Sequence, residues 1–222
     1  MSGAPVREAV PADAAAIAAV QIAAWRAAYA GVLTAEYLEG LDQHEFAANW
    51  QETLVAMDQR RESAVGSCPG GPGPTAGSAC VAPRPQVGAD AVCGGGPPPE
   101  AGRMLPDAVL VGEAGGRVVA IASVGPFRRS TGPGDPTGEL WMLNADPAVF
   151  GTGAGPAVHA IALDRLAAAG HRRAVLWVVR DNPRARRFYE REGWRADGHE
   201  IVADMGGSAV IELRYGRPLA GA

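Results

Sequence analysis

Phe150-Gly151-Thr152-Gly153-Ala154-Gly155-Pro156 lies between a strand-like run, Glu139–Ala145, and an alanine-rich run that reads as a helix to about Ala169. Glycines at alternate positions let backbone N–H groups approach a ligand closely, and a helix N-terminus favours negative charge. The segment therefore predicts an anion site, phosphate above all, at a strand-to-helix turn. Pro156 suits the first helical turn, where its missing N–H is not needed. A dinucleotide fingerprint would want a third glycine where Pro156 stands and an acidic residue about 20 positions on, which Val175–Val179 does not supply. A Walker loop would want a lysine, and the chain contains none. Taken alone, the glycines would also serve a tight turn with no ligand.

Working outward, Gly170 stops the helix, Ala174–Val179 reads as a strand, and Asn182–Glu192 as an amphipathic helix ended by Gly193. Trp194–Ala203 and Ala209–Tyr215 are two further strand-like runs. Upstream of Glu139, Ala108–Glu113 and Val118–Val124 flank Ala114-Gly115-Gly116-Arg117, a hairpin signal. Near the N-terminus, residues 5–10 read as a short strand and Asp13 as the cap of a helix from Ala14 to Ala30. In that helix Ile17, Val20, Ala24, Trp25, Ala28 and Tyr29 recur at helical spacing, and Gly31 ends it. Thr34 opens a second helical region that runs, with breaks, to about Val55. The expected order is β-α-α-[insertion]-β-β-β-α-β-α-β-β.

The insertion stands out by composition. From Gly66 to Pro106, ten glycines and nine prolines make up 19 of 41 residues. So few large apolar side chains cannot offset the entropy of ordering the backbone. A flexible insertion at 66–106 in one domain spanning 1–222 is the expectation, and loop-closure entropy makes such a length inexpensive.

Composition excludes several function classes. With 47% hydrophobic residues and a net charge of -4, the chain has core material for a globular fold and no basic block for nucleic acid. Arg184, Arg186, Arg187 and Arg191 cluster, but on an amphipathic helix, where a solvated face explains them. Without lysine, Schiff-base chemistry is excluded. Cys68, Cys80 and Cys93 are odd in number, lie in the insertion and have no histidine among them, which argues against a metal site or a disulfide framework. No leader-like N-terminus and no apolar run of about 18 residues occur, so a cytoplasmic protein off the membrane is expected.

The chain resembles the GNAT (GCN5-related N-acetyltransferase) superfamily. Phe150, Gly153 and Gly155 occupy the Gln/Arg, glycine and glycine/alanine positions of its central motif. Asn182, Ala185, Phe188, Tyr189, Gly193 and Trp194 match a second motif, and Trp25, Tyr29, Gly31 and Leu33 are similar to a Trp–Tyr–Gly subgroup signature. The resemblance covers roughly 5–55 and 107–216. It implies an α/β fold with a mixed central sheet flanked by helices, and an acetyl-CoA-dependent N-acetyltransferase acting on a small-molecule or peptide amine, without metal, nucleic acid or membrane. It also admits a homodimer.

The resemblance further implies roles. Leu143, Asn144 and Ala145 would pair by their main chain with the pantetheine arm, in a slot where strands 139–145 and 174–179 part, and an amide near Leu143 would polarise the thioester carbonyl. Gly151, Thr152, Gly153, Ala154, Gly155 and Pro156 would cradle the pyrophosphate, and Asn182 would hydrogen-bond the pantetheine arm. Tyr189 falls where the family keeps the acid that protonates the leaving thiolate. It also lies on the inward side of its helix with Ala185, where a core tyrosine would sit. Glu139 stands where some members carry a general base, or is an ordinary strand end. Trp25, Tyr29 and Tyr37 would line the acceptor side, or pack in the core. His159 reads as a helix-face residue. Phe150 departs from the motif because it cannot donate a side-chain hydrogen bond. That departure keeps a second reading open, an acyl-CoA-binding GNAT-fold sensor or scaffold without turnover.

Overall fold

The computed structural model describes residues 5–65, 104–130 and 135–219. The insertion expected at 66–106 lies almost wholly outside them. The described elements are β1 (Val6–Glu8), α1 (Ala14–Ala28), α2 (Ala35–Glu39), α3 (Gln43–Val65), β2 (Ala108–Ala114), β3 (Arg117–Pro126), β4 (Thr137–Ala145), α4 (Ala154–Ala168), β5 (Arg173–Val179), α5 (Pro183–Arg191), β6 (Arg195–Met205) and β7 (Ser208–Pro218). They build one seven-stranded sheet in the order β1-β2-β3-β4-β5-β7-β6, antiparallel except for β4 against β5.

Both faces of the sheet are covered. Val109, Val111 and Ile121 pack with Ile17, Val20, Leu54 and Met57 of α1 and α3. The alternate residues Leu110, Ala120 and Ala122 pack with Val158, Ala162 and Leu166 of α4, in a core that extends to Tyr189 and Trp194. Two-sided burial explains why β2 reads as a continuous apolar run rather than an alternating one. Gly112 belongs to this packing, since a Cβ there would meet Val158 Cγ2 at 2.6 Å.

Two sequence expectations are corrected. Asp13 does not cap α1 with its side chain. Its carboxylate turns back to accept from the Val10 N–H at 2.9 Å and from both terminal nitrogens of Arg7, at 2.6 and 2.8 Å. The Arg7 hydrogen bonds hold that carboxyl below its ordinary range, against a smaller opposing effect of burial. The second helical region is two helices. Thr34 Oγ1 accepts from the Tyr37 N–H to cap α2, Gly40 ends it, and Asp42 Oδ1 accepts from the His44 and Glu45 N–H groups at the start of α3. α3 then runs ten residues beyond Val55. Its Leu54 and Met57 are buried against α1, and its Trp50 Nε1 donates to Gln21 Oε1 at 2.7 Å.

Candidate functional site

The one parallel strand pair among the described residues opens the site. β4 and β5 are in register at Thr137–Arg173, Gly138–Ala174 and Glu139–Val175, and the pairing then stops. Just beyond, the β3–β4 ladder shifts between Ser123 and Val124, whose partners are Met142 and Leu140, leaving Trp141 as the extra residue of a bulge. Bulges bend and twist a strand, and this one coincides with the divergence of β4 from β5. Gly125 accommodates the Trp141 ring, where a Cβ would come within 2.8 Å, and Trp141 Nε1 donates to the Pro126 carbonyl at 3.1 Å. A cavity of about 530 Å³ occupies the gap, lined by α1, β4, the glycine turn, β5, α5 and β7.

Leu143, Asn144 and Ala145 line this cavity along β4. Asn144 Nδ2 is buried with no hydrogen-bond partner among the described residues. Asn182 lines it opposite. Its Oδ1 accepts from the Ala185 N–H at 3.0 Å, capping α5, so its amide NH₂ is the group left for a ligand.

At the glycine turn, Gly151, Gly153, Gly155 and Pro156 line the cavity. Gly151 and Gly153 have φ of +82° and +96°, a backbone region costly for other residues. A Cβ at any of the three glycines would meet nothing within 4 Å, so a concave space faces the turn. α4 has no side-chain cap, which leaves its first-turn amides without a side-chain acceptor. Thr152 and Ala154 do not line the space: the Thr152 hydroxyl donates to the Val149 carbonyl at 2.8 Å, and Ala154 is buried in the core. Any part they take is through their backbone.

Phe150, the departure from the motif, has a partner the sequence did not disclose. The Arg184 guanidinium lies over its ring, 3.4 Å from the centroid. Arg184, Arg187 and Arg191 of α5 all line the cavity, so this face is not simply solvated. The spacing i, i+3, i+7 aligns them along one side of the helix.

Deeper in, Tyr189 is 8% exposed, packed edge-on against Phe188 and Trp194. Burial, with a smaller contribution from Tyr29, pushes its phenol above its ordinary pKa, so it stays protonated at neutral pH. Trp25 and Tyr29 line the cavity from α1, in edge contact at 5.6 Å. Tyr37 does not join them. It packs beside Gly206, whose φ is +61° and where a Cβ would fall 2.2 Å from the Tyr37 ring. Glu139 does not line the cavity either. It is 1% exposed and held by Arg128, whose backbone N–H donates to Oε2 at 2.9 Å and whose Nε donates to Oε1 at 3.1 Å, with a further bond from the guanidinium. A carboxylate so engaged anchors the loop after β3 and is badly placed as a base. His159 lies on the buried face of α4, 1% exposed, accepting from Trp194 Nε1 at 2.9 Å.

Residues 97–194 match the family model described as the acetyltransferase (GNAT) family. That stretch is thus similar to a GNAT acetyltransferase domain. Among curated proteins it is similar to the mycothiol acetyltransferase of Beutenbergia cavernae, at 44% identity over 62 residues, which is 28% of this chain and 21% of that protein. The match thus spans about a fifth of that relative. Among solved structures, the fold is similar to the paiA N-acetyltransferase of Thermoplasma acidophilum in complex with coenzyme A. Their TM-score is 0.57 at 17% identity, covering 98% of this chain and 99% of that one. It is likewise similar to yncA, a putative acetyltransferase of Salmonella typhimurium solved with its cofactor acetyl-CoA. That pair has a TM-score of 0.58 at 18% identity, with 100% and 96% covered.

Among the charged residues at this cavity, sequence reading missed the arginines of α5 and one carboxylate, Glu212. Arg184, Arg187 and Arg191 were legible as a periodic stripe, but nothing local says which side of α5 faces the sheet. Glu212 carries no signal: it is one acidic residue in a strand-like run. It is 3% exposed and lies opposite Val179 at the cavity wall. Among the described residues, no group of three or more His, Cys, Asp or Glu is placed to hold a metal ion.

Proposed function

We propose that the protein is an N-acetyltransferase that moves an acetyl group from acetyl-CoA to a primary amine, supplied by a small molecule or a peptide. The observation that carries this reading is the parting of β4 from β5 beyond Glu139 and Val175, directly beside the uncapped, glycine-lined start of α4. An extended arm bearing amides fits the free edge of β4 at 143–145, where Asn144 Nδ2 awaits an acceptor. A pyrophosphate fits the concave side of Gly151, Gly153 and Gly155. The cation absent from this turn is supplied from α5 by Arg184, seated on Phe150, with Arg187 and Arg191 in line for the remaining phosphate. Phe150 thus acts as a platform for a cation. The paiA enzyme and yncA, solved with coenzyme A and acetyl-CoA, share the fold, which supports the same donor here.

The chemistry follows from the residues present. β4 amides near Leu143 polarise the thioester carbonyl and stabilise the oxyanion as the amine attacks. Tyr189, a phenol that is protonated at neutral pH, gives its proton to the departing thiolate. Calorimetry with acetyl-CoA, paired with thiol release in the presence of primary amines, tests the reading. Saturable binding and amine-dependent thiol release are expected. No heat at millimolar acetyl-CoA would overturn it. Binding without thiol release would favour the sensor or scaffold.

A further inference from the structure

We propose that Glu212 receives the acceptor's proton, and that the acceptor enters as a primary ammonium on an apolar body. This inference rests on the acetyl-transfer reading above and names the acceptor class of that site.

Among the described residues lining the cavity, Glu212 is the sole carboxylate. Glu139 is withdrawn into its contacts with Arg128. The cavity is also electrically divided between the two faces of the sheet. On β7, Leu213 and Tyr215 pack in the core shared with Tyr189 and Trp194, the side on which α5 lies, whereas Val210 packs with Trp25 and Leu33 from the α1 side. Strand alternation places Glu212 on the face of Val210, opposite to α5. Arg184, Arg187 and Arg191 therefore present their positive charge from one face, suited to a polyanionic donor. Glu212 presents its carboxylate from the other.

The walls around this carboxylate are aromatic. Trp25, Tyr29, Trp141 and Trp177 line the same cavity, and Val179, the residue opposite Glu212, shares the sheet face of Trp177. An ammonium with an apolar body would leave its charge at Glu212 and its carbon frame against these rings. Three proton-bearing groups meet here. Glu212 raises the Tyr29 phenol, after burial, and Tyr29 in turn raises that of Tyr189, so all three share one enclosed region. A carboxylate has two oxygens with about four acceptor directions, so existing contacts leave it able to take a proton.

The protons balance. The ammonium gives one proton to Glu212, and the neutral amine attacks the thioester carbon, forming C–N. The C–S bond breaks and the thiolate takes the Tyr189 proton. The nitrogen of the adduct surrenders its second proton, restoring the Tyr189 hydroxyl. The net proton released leaves from Glu212.

The test compares two isosteric probes, phenethylamine, cationic at pH 7, and O-benzylhydroxylamine, neutral at pH 7. With Glu212→Gln, kcat/KM for phenethylamine should fall by about 10²–10⁴-fold, while that for O-benzylhydroxylamine stays within a few-fold. Glu212→Asp should lower only the phenethylamine rate, and it decides the matter where the glutamine variant does not fold. Unchanged phenethylamine turnover in Glu212→Gln overturns the assignment. Equal loss with both probes, at retained acetyl-CoA affinity, overturns it too, because a group needed only for packing would not distinguish a cation from its neutral isostere. Wild-type protein that turns over neither probe overturns the acceptor class, and its acetyl-CoA calorimetry then says whether the wider reading falls as well.

Discussion

Replacing His159 with glutamine should remove a defined part of the acid sensitivity of this fold. The imidazole is 1% exposed, and Trp194 Nε1 donates to its Nε2, which puts the ring proton on Nδ1. Nδ1 has no hydrogen-bond partner among the described residues, and Glu192 Oε2 is 3.7 Å away, too far for a hydrogen bond. Burial first, and the charge of Arg217 second, lower the pKa from 6.5 to about 4. The folded pKa lies below the unfolded one, so between these values the unfolded chain binds more protons and stability is lost as the pH is lowered. The group is neutral in both states well above pH 6.5 and costs nothing there. At pH 4.5 the linkage cost is about 2.5 kcal/mol, because that pH lies about two units below the unfolded value at 1.36 kcal/mol each, less a small part for folded molecules already protonated there. Glutamine can accept from Trp194 through its carbonyl without titrating. Urea unfolding of both proteins at pH 7.5 and 4.5 should show wild type losing about 2.5 kcal/mol more than His159→Gln. The lowered carboxyl groups of Asp13 and Asp197 act equally in both proteins and cancel in the difference. Identical losses over this interval would refute the claim that burial holds His159 neutral.

Further outcomes are expected at the site. Tyr189→Phe keeps the ring packing and removes the hydroxyl, so turnover should fall about 10²–10⁴-fold with acetyl-CoA affinity little changed; full turnover would return the proton to water. Gly153→Val puts a branched side chain at φ +96° and into the concave space, and calorimetry should show acetyl-CoA binding weakened or lost. Arg184→Gln should weaken acetyl-CoA by about 10- to 150-fold, an ionic hydrogen bond being worth about 1.5–3 kcal/mol, while leaving acetyl-pantetheine, which has no phosphate, unaffected. Deleting residues 66–103 and joining the ends through a short polar linker should leave the melting temperature nearly unchanged. Arg60 of α3 already donates to the Pro106 carbonyl at 3.0 Å, so the flanks lie side by side. A collapse of folding on deletion would show that the segment packs.

Much of this molecule was legible along the chain because the relevant signals are local. The glycine turn, the helix stops at Gly31 and Gly170, and the hairpin at Gly115-Gly116 depend on the conformational freedom of single residues. The motif from Asn182 to Trp194 likewise spans one helix and its two ends, so its spacing is local geometry. Boundaries failed where tertiary contacts prevail: α3 continues past Val55 because α1 buries it, and Asp13 turns back because Arg7 is there.

The sequence by itself determined most of the order of elements, a glycine-rich strand-to-helix turn at 151–156, and the exclusion of lysine-dependent chemistry. Only the tertiary structure decided which charges serve the cavity. Whether Glu139 or Glu212 is available depends on Arg128, eleven residues from the first, and on a strand pairing between β5 and β7. Whether Arg184 is solvated or ligand-facing depends on which side of α5 the sheet covers. Such facts are set by chain segments distant in sequence meeting in space, and the burial and partners that decide a charge's role arise only on that meeting.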